Sequence, residues 1–108
     1  MSTDIVAYVQ ENEFDTLLSE EKVVVVDFTA TWCGPCRLVS PLMDQLANEY
    51  KDRAKVVKVD VDNNKPIFKK FGLRSIPAVL IFKDGELAEK IIGVSPYEQF
   101  SSAVEKLL

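Results

Sequence analysis

Apolar and polar positions along the chain repeat with two different periods, and the switches between them outline nine elements. Ile5 to Val9 has strand composition, and Asn12, as an N-cap, predicts a short helix through Leu18 with Phe14, Leu17 and Leu18 on one face. Val23 to Phe28 is almost unbroken β-branched and apolar sequence. That pattern predicts a central strand covered on both faces, with Thr29-Ala30-Thr31 as the turn that follows it. From Cys36 to Tyr50 the positions Leu38, Val39, Leu42, Met43, Leu46, Ala47 and Tyr50 recur at spacings of three and four, the period of a helix packed on a sheet. Pro41 lies inside that pattern and has no N–H for the Arg37 carbonyl, so a bend is expected there and not a stop.

Val56 to Val61 alternates with Lys58 and Asp60 and predicts another strand, followed by a short helix opened by Asn63-Asn64-Lys65-Pro66 and closed by Gly72. Strand, helix, strand implies a parallel crossover. Ala78 to Phe82 and Glu86 to Ile92 flank Lys83-Asp84-Gly85, and the Asp-Gly dipeptide predicts an antiparallel hairpin. Ser95-Pro96-Tyr97-Glu98 reads as a capping Ser, a Pro at the first helical position and a Glu in capping-box position. The terminal helix it starts is expected to turn Phe100, Val104, Leu107 and Leu108 to the core. The sum is β-α-β-α-β-α-β-β-α, an α/β fold with a central mixed five-stranded sheet flanked by four helices.

Composition narrows this picture without changing it. A chain of 108 residues, 47% hydrophobic and 28% charged, fits a single soluble domain over 1–108. The net charge of -4, with bases scattered among acids, offers no footprint for nucleic acid or an anionic membrane. Met1 to Val6 lacks a basic region followed by an apolar stretch, so no secretory signal is expected and a thiol-reducing cytoplasm is the expected compartment. There is no histidine, which removes Cys-His nucleophile pairs, Ser-His-Asp triads and histidine-ligated metals together.

The chemistry that remains sits in Trp32-Cys33-Gly34-Pro35-Cys36, between the valine strand and the long helix, and holds both cysteines of the chain. A structural zinc site needs four ligands, and two cysteines without histidine supply half. A structural staple is weak as well. Closing a four-residue ring contributes about 1.9 kcal/mol, against about 3 for a fifteen-residue loop. A redox reading uses every residue. Backbone N–H groups and the helix dipole at a helix N-terminus favour thiolate. Cys33, upstream and expected to be the more exposed, is the candidate nucleophile; Cys36, expected one turn into the helix and more buried, is the candidate resolving thiol. Gly34 permits close backbone approach and Pro35 restricts the turn.

The chain resembles the thioredoxins from about Asp4 to Leu108. The residues that carry the resemblance are Val25-Val26-Asp27-Phe28, Ala30-Thr31-Trp32-Cys33-Gly34-Pro35-Cys36-Arg37, Pro41, Lys58-Val59-Asp60-Val61-Asp62, Phe71-Gly72-Leu73-Arg74-Ser75-Ile76-Pro77, Phe82-Lys83-Asp84-Gly85 and Gly93. The resemblance implies a thioredoxin fold with a redox-active Cys33-Cys36 disulfide. It further implies a buried acid at Asp27 behind Cys36, Lys58 as the partner of Asp27 on the neighbouring strand, and a cis proline at Pro77. Trp32, Gly34, Pro35, Val61, Ser75, Ile76, Pro77, Gly93 and Val94 are then the expected docking surface around Cys33, with Ile76 offering backbone groups to an extended substrate segment. Taken without the family, Asp27 is equally a turn-bonding residue at a strand end, Lys58 a strand lysine with its head in solvent, and Trp32 a docking or a core residue. Thr29 stands where many bacterial thioredoxins carry a second Trp, and Ser75 replaces a frequent Gly.

In the thioredoxins the nucleophile has a pKa of about 7. Going from about 8.5 to about 7 raises the thiolate fraction at neutrality about fifteen-fold, and the lower nucleophilicity removes about five-fold. The net gain of about three-fold leaves most of the specificity to the surface around Cys33. The expected function is general protein-disulfide reduction with no added cofactor and no metal. The expected partners are disulfide-bearing target proteins and a thioredoxin reductase, NADPH- or ferredoxin-dependent, acting on a monomer. Gly-Pro between the cysteines favours the reductase over a disulfide oxidant or isomerase of the same fold. A thioredoxin-like binding or assembly subunit, in which the thiols need not turn over, is the alternative from another class.

Overall fold

The valine run becomes the strand that the rest of the molecule covers. In the computed structural model, which describes residues 6–108, Val23 to Phe28 are all buried within a strand that extends to Thr29. Side chains alternate across a strand, so the continuous apolar run supplies two cores at once. Val23 and Val25 join a cluster with Val39, Met43, Leu46, Phe100 and Val104. Val24, Val26 and Phe28 join another with Phe14, Ile67 and Phe82.

In chain order the elements are β1 (Ala7–Tyr8), α1 (Glu11–Glu20), β2 (Val23–Thr29), α2 (Cys36–Glu49), β3 (Lys55–Asp60), a 3-10 turn (Val61–Asn63), α3 (Lys65–Lys70), β4 (Ala78–Lys83), β5 (Glu86–Ile92) and α4 (Tyr97–Glu105). The sheet order is β1-β3-β2-β4-β5. β3 pairs parallel with β1 and β2, while β4 pairs antiparallel with β2 and β5. This is the mixed five-stranded sheet with four helices that the periodicity predicts. α2 and α4 cover one face of it, α1 and α3 the other. The Asp84-Gly85 turn has both residues at positive φ, 51° and 84°, the backbone a tight hairpin requires and the reason glycine stands second.

Several boundaries differ from the sequence expectation, each because a partner outside the local sequence decides it. Asn12 is not an N-cap; it lies in α1, whose cap position is Gln10. The Gln10 N–H donates to the Glu13 carboxylate at 2.8 Å, and the Glu11 N–H donates to Asn64 Oδ1, 53 residues away, also at 2.8 Å. Thr29 belongs to β2 and not to the turn, since β3 continues to pair with it through Asp60. Val61 leaves the strand for the 3-10 turn, where the Asp60 carboxylate accepts the Asp62 N–H. Ser95 does not cap α4. Pro96 takes the cap position with an extended backbone, and its carbonyl accepts the Gln99 N–H. Leu38 and Leu108, expected in the core, are 62% and 45% exposed. Ile5, the expected start of the first strand, and the N-terminal residues read for a leader fall outside the described residues apart from Val6. Pro41 stands inside α2, which continues past it to Glu49.

Candidate functional site

Strand pairing brings the singled-out residues to one end of the sheet. Thr29 pairs with Asp60, Phe28 with Ala78, and Ala78 with Ile92. The residues just after β2, β3 and β5 and just before β4 therefore meet at a common edge. Those residues are the cysteine loop, Val61, Gly93 and Pro77. The Gly93 N–H donates to the Pro77 carbonyl at 2.8 Å, and the Ile76-Pro77 peptide is cis. Gly93 has φ 89°, which favours a residue without Cβ, and an added Cβ would meet nothing within 4 Å.

Cys33 and Cys36 form a disulfide with Cα atoms 5.4 Å apart. Cys36 is the first residue of α2, not a turn inside it, and Pro35 is the cap position. The Cys36 N–H, one of the helix's unpaired donors, points to Cys33 Sγ at 3.2 Å. The expected contrast in exposure is small: both cysteines are buried, at 4% and 2%, among Phe28, Ala30, Val61 and Ala78. The pair's exposed surroundings are Gly34, Pro35 and Trp32. Trp32 is 67% exposed, so it is no core residue, and its indole N–H donates to Asp62 Oδ2 at 2.8 Å. Ser75 and Val94 are exposed and Ile76 half-buried, whereas Val61, counted with the docking surface, is buried and presents little of itself.

Asp27 interrupts the apolar series of β2 on the face covered by α2. It continues the Val23, Val25 side, one residue before Phe28 returns to the other core. It is 1% exposed, and neither carboxylate oxygen has a hydrogen-bond partner among the described residues. Desolvation of the charged form pushes its pKa up to about 7; the Lys58 charge opposes this and the Asp44 charge adds to it. Lys58 is Asp27's register neighbour on β3, as the resemblance implies. Its ammonium, however, makes its contacts elsewhere. It donates to Ser40 Oγ and forms an ion pair with Asp44 at 3.7 Å, both on α2. Lys58 is therefore a charge near Asp27 and not its hydrogen-bonding partner.

Ser40, Asp44 and Asp62 join the site without having been singled out in the sequence. The available signal was spacing: Ser40 and Asp44 follow Cys36 at four and eight positions along one side of α2. Among the described residues no group of three metal-ligating side chains occurs, and no helix is long and apolar enough to cross a membrane.

Comparison with known proteins agrees with this geometry. The profile of the family described as Thioredoxin matches residues 5–106. A chloroplastic M-type thioredoxin of Chlamydomonas reinhardtii is 43% identical over 101 residues, covering 93% of this chain and 72% of that protein. Thioredoxin 1 of Synechococcus elongatus is 40% identical over 105 residues, covering 96% and 98%. Among solved structures, a mutant thioredoxin from Halobacterium salinarum superposes with a TM-score of 0.88 at 35% identity, over 99% of this chain and 94% of that one. Plasmodium falciparum thioredoxin gives 0.86 at 30% identity, over 95% and 100%.

Proposed function

The chain belongs to the thioredoxin family and is a thiol-disulfide oxidoreductase centred on the Cys33–Cys36 disulfide; from that premise we propose that it works as a general protein-disulfide reductase. The observation that carries the order of attack is the backbone N–H of Cys36 directed at Cys33 Sγ at the start of α2. After reduction the same donor and the helix N-terminus stabilise a thiolate on Cys33.

In the forward reaction Cys33 thiolate attacks one sulfur of a target disulfide, forming the mixed disulfide and expelling the other target sulfur as thiolate, which takes a proton. Cys36 gives its proton to the Asp27 carboxylate and attacks Cys33 Sγ. The Cys33–target bond breaks, the second target sulfur leaves reduced, and Cys33–Cys36 closes. Two electrons pass from the dithiol to the target. Asp27 suits this role because it is buried, has no hydrogen-bonding partner among the described residues and has its pKa pushed up to about 7, where an acid both gives and takes protons. Trp32, Gly34, Pro35, Ile76, Pro77, Gly93 and Val94 form the docking rim, with Ser75 tuning which targets fit and Val61 supporting it from beneath. A thioredoxin reductase, NADPH- or ferredoxin-dependent, returns the dithiol. We place the protein in the cytoplasm as a single-domain monomer serving redox homeostasis.

Cys36→Ser removes the resolving thiol, so the attack stops at the mixed disulfide. In extract of the source cells, non-reducing gels of this variant are expected to show covalent adducts with many proteins that dithiothreitol releases. Adducts formed by Cys33→Ser in place of Cys36→Ser overturn the order of attack. Adducts with neither variant favour a binding or assembly role.

A further inference from the structure

The row of side chains across the α2 face of the sheet runs Tyr8, Lys58, Asp27, Val79, Ile91, from β1 through β3, β2 and β4 to β5. An acid and a base, both buried, are therefore immediate neighbours in this row. Ordinarily they would pair, yet the Asp27 oxygens have no hydrogen-bond partner among the described residues while Lys58 Nζ is held by two groups of α2.

From this arrangement we infer that Ser40 and Asp44 are positioning residues, which hold the Lys58 ammonium on α2 and so keep the Asp27 carboxyl unpaired and able to carry a proton. The inference rests on the acid-base role proposed for Asp27 and extends it to two residues that touch neither sulfur. The magnitudes make the arrangement matter. A cation within about 4–6 Å lowers a carboxyl pKa by about 1–3. Full pairing with Lys58 would take Asp27 from near neutrality into the ordinary carboxylate range, where it is always ionised and gives up no proton at pH 7. Removing Lys58 altogether would leave the acid too reluctant to ionise.

The other groups around the carboxyl do not substitute for this device. On β3, the Asp60 carboxylate is occupied by the Asp62 N–H. On β1, the Tyr8 phenol has its pKa raised by burial and then by Asp27, Asp60 and Asp44, so it stays neutral. β4 and β5 present Val79 and Ile91, and α4 packs Phe100, Ala103 and Val104 against that face. At the start of α2 the Cys36 sulfur is tied in the disulfide and does not titrate. The cation of the row is Lys58, and Ser40 is the neutral group that holds it.

Ser40→Ala changes no charge, which makes it the decisive variant. The Asp27 carboxyl is titrated by carbon NMR in the oxidised full chain, for the parent, Ser40→Ala and Asp44→Asn, each with Lys58 present and with Lys58→Met. With Lys58 present, Ser40→Ala is expected to make Asp27 about three- to tenfold more acidic, and Asp44→Asn at least as much. With Lys58→Met, Ser40→Ala is expected to have no effect, and Asp44→Asn only the part due to losing a neighbouring negative charge. An unchanged titration in Ser40→Ala, or a change that survives Lys58→Met, overturns the inference. The titration needs no turnover. The acid-base role itself is tested separately by the rate at which Asp27→Asn resolves a mixed disulfide, so failure of one is distinguishable from failure of the other.

Discussion

At the scale of single residues, Asp27 ties function to stability. Its pKa is 3.8 in an unfolded reference and about 7 in the fold, so the folded chain holds a proton that the unfolded chain releases between those values. Folding stability therefore falls as pH rises from about 4 to about 7 and is level above, by a total of about 4 kcal/mol at 1.36 kcal/mol per pH unit. Asp27→Asn lacks this loss. Urea unfolding of the oxidised proteins is expected to show the variant gaining on the parent by that amount between pH 4 and pH 8; a constant difference would mean that the buried carboxyl titrates normally. The residues legible from sequence were those whose chemistry is local, Cys33, Gly34, Pro35 and Cys36, since spacing alone sets their meeting. Asp27 and Pro77 were visible only through family resemblance. Ser40, Asp44 and Asp62 stayed hidden because their partners, Lys58 and Trp32, lie on other elements and no local pattern records a contact across a sheet. For the same reason the sequence places Lys58 beside Asp27 on the neighbouring strand but does not show that its ammonium reaches to Ser40 and Asp44 on α2.

At the scale of elements, the strands and helices followed from period, and their ends did not. β2 was readable because six buried positions in succession have no other explanation than cover on both faces. The start of α1 was not, because its cap arrives from the segment before α3. Asn64, 1% exposed, accepts from the Glu11 N–H and donates to the Asp60 carbonyl at 2.9 Å, pinning α1, β3 and α3 to one another. Asn64→Ala removes this cap and takes the side-chain partner from two part-buried backbone groups, the Glu11 N–H and the Asp60 carbonyl. Its expected cost is about 2 kcal/mol in urea unfolding, larger than an exposed cap would give. Thiol exchange by the folded variant should be unchanged. A loss under about 0.5 kcal/mol would mean the bridge between the elements carries no stability. Leu38 illustrates the opposite error: it fits the helical period, but the apolar stripe of α2 is narrower than the period allows, and this residue falls outside it.

At the scale of the whole molecule, one sheet serves two cores. Phe14, Phe71 and Phe82 meet with ring centroids 5.4 to 5.8 Å apart, linking α1, the end of α3 and β4 on one side. On the other side the Tyr50 hydroxyl donates to Glu105 at 2.7 Å, tying the end of α2 to α4. Neither core can open without disturbing β2, which lies between β3 and β4 and contributes alternate residues to both. Native-state hydrogen exchange is expected to find the amides of residues 24–28 exchanging only by global unfolding, with α1 and β1 opening at lower free energy. Exchange from β2 at the same low level as α1 would contradict a shared central strand. The redox pair follows the end of that central strand, while Trp32, the only tryptophan of the chain, stands outside the cores one residue before Cys33. The indole emission of the entire protein thus arises at a single point, in contact with solvent and with Asp62 and adjoining the disulfide. The molecule carries its own optical probe at the place where electrons enter and leave.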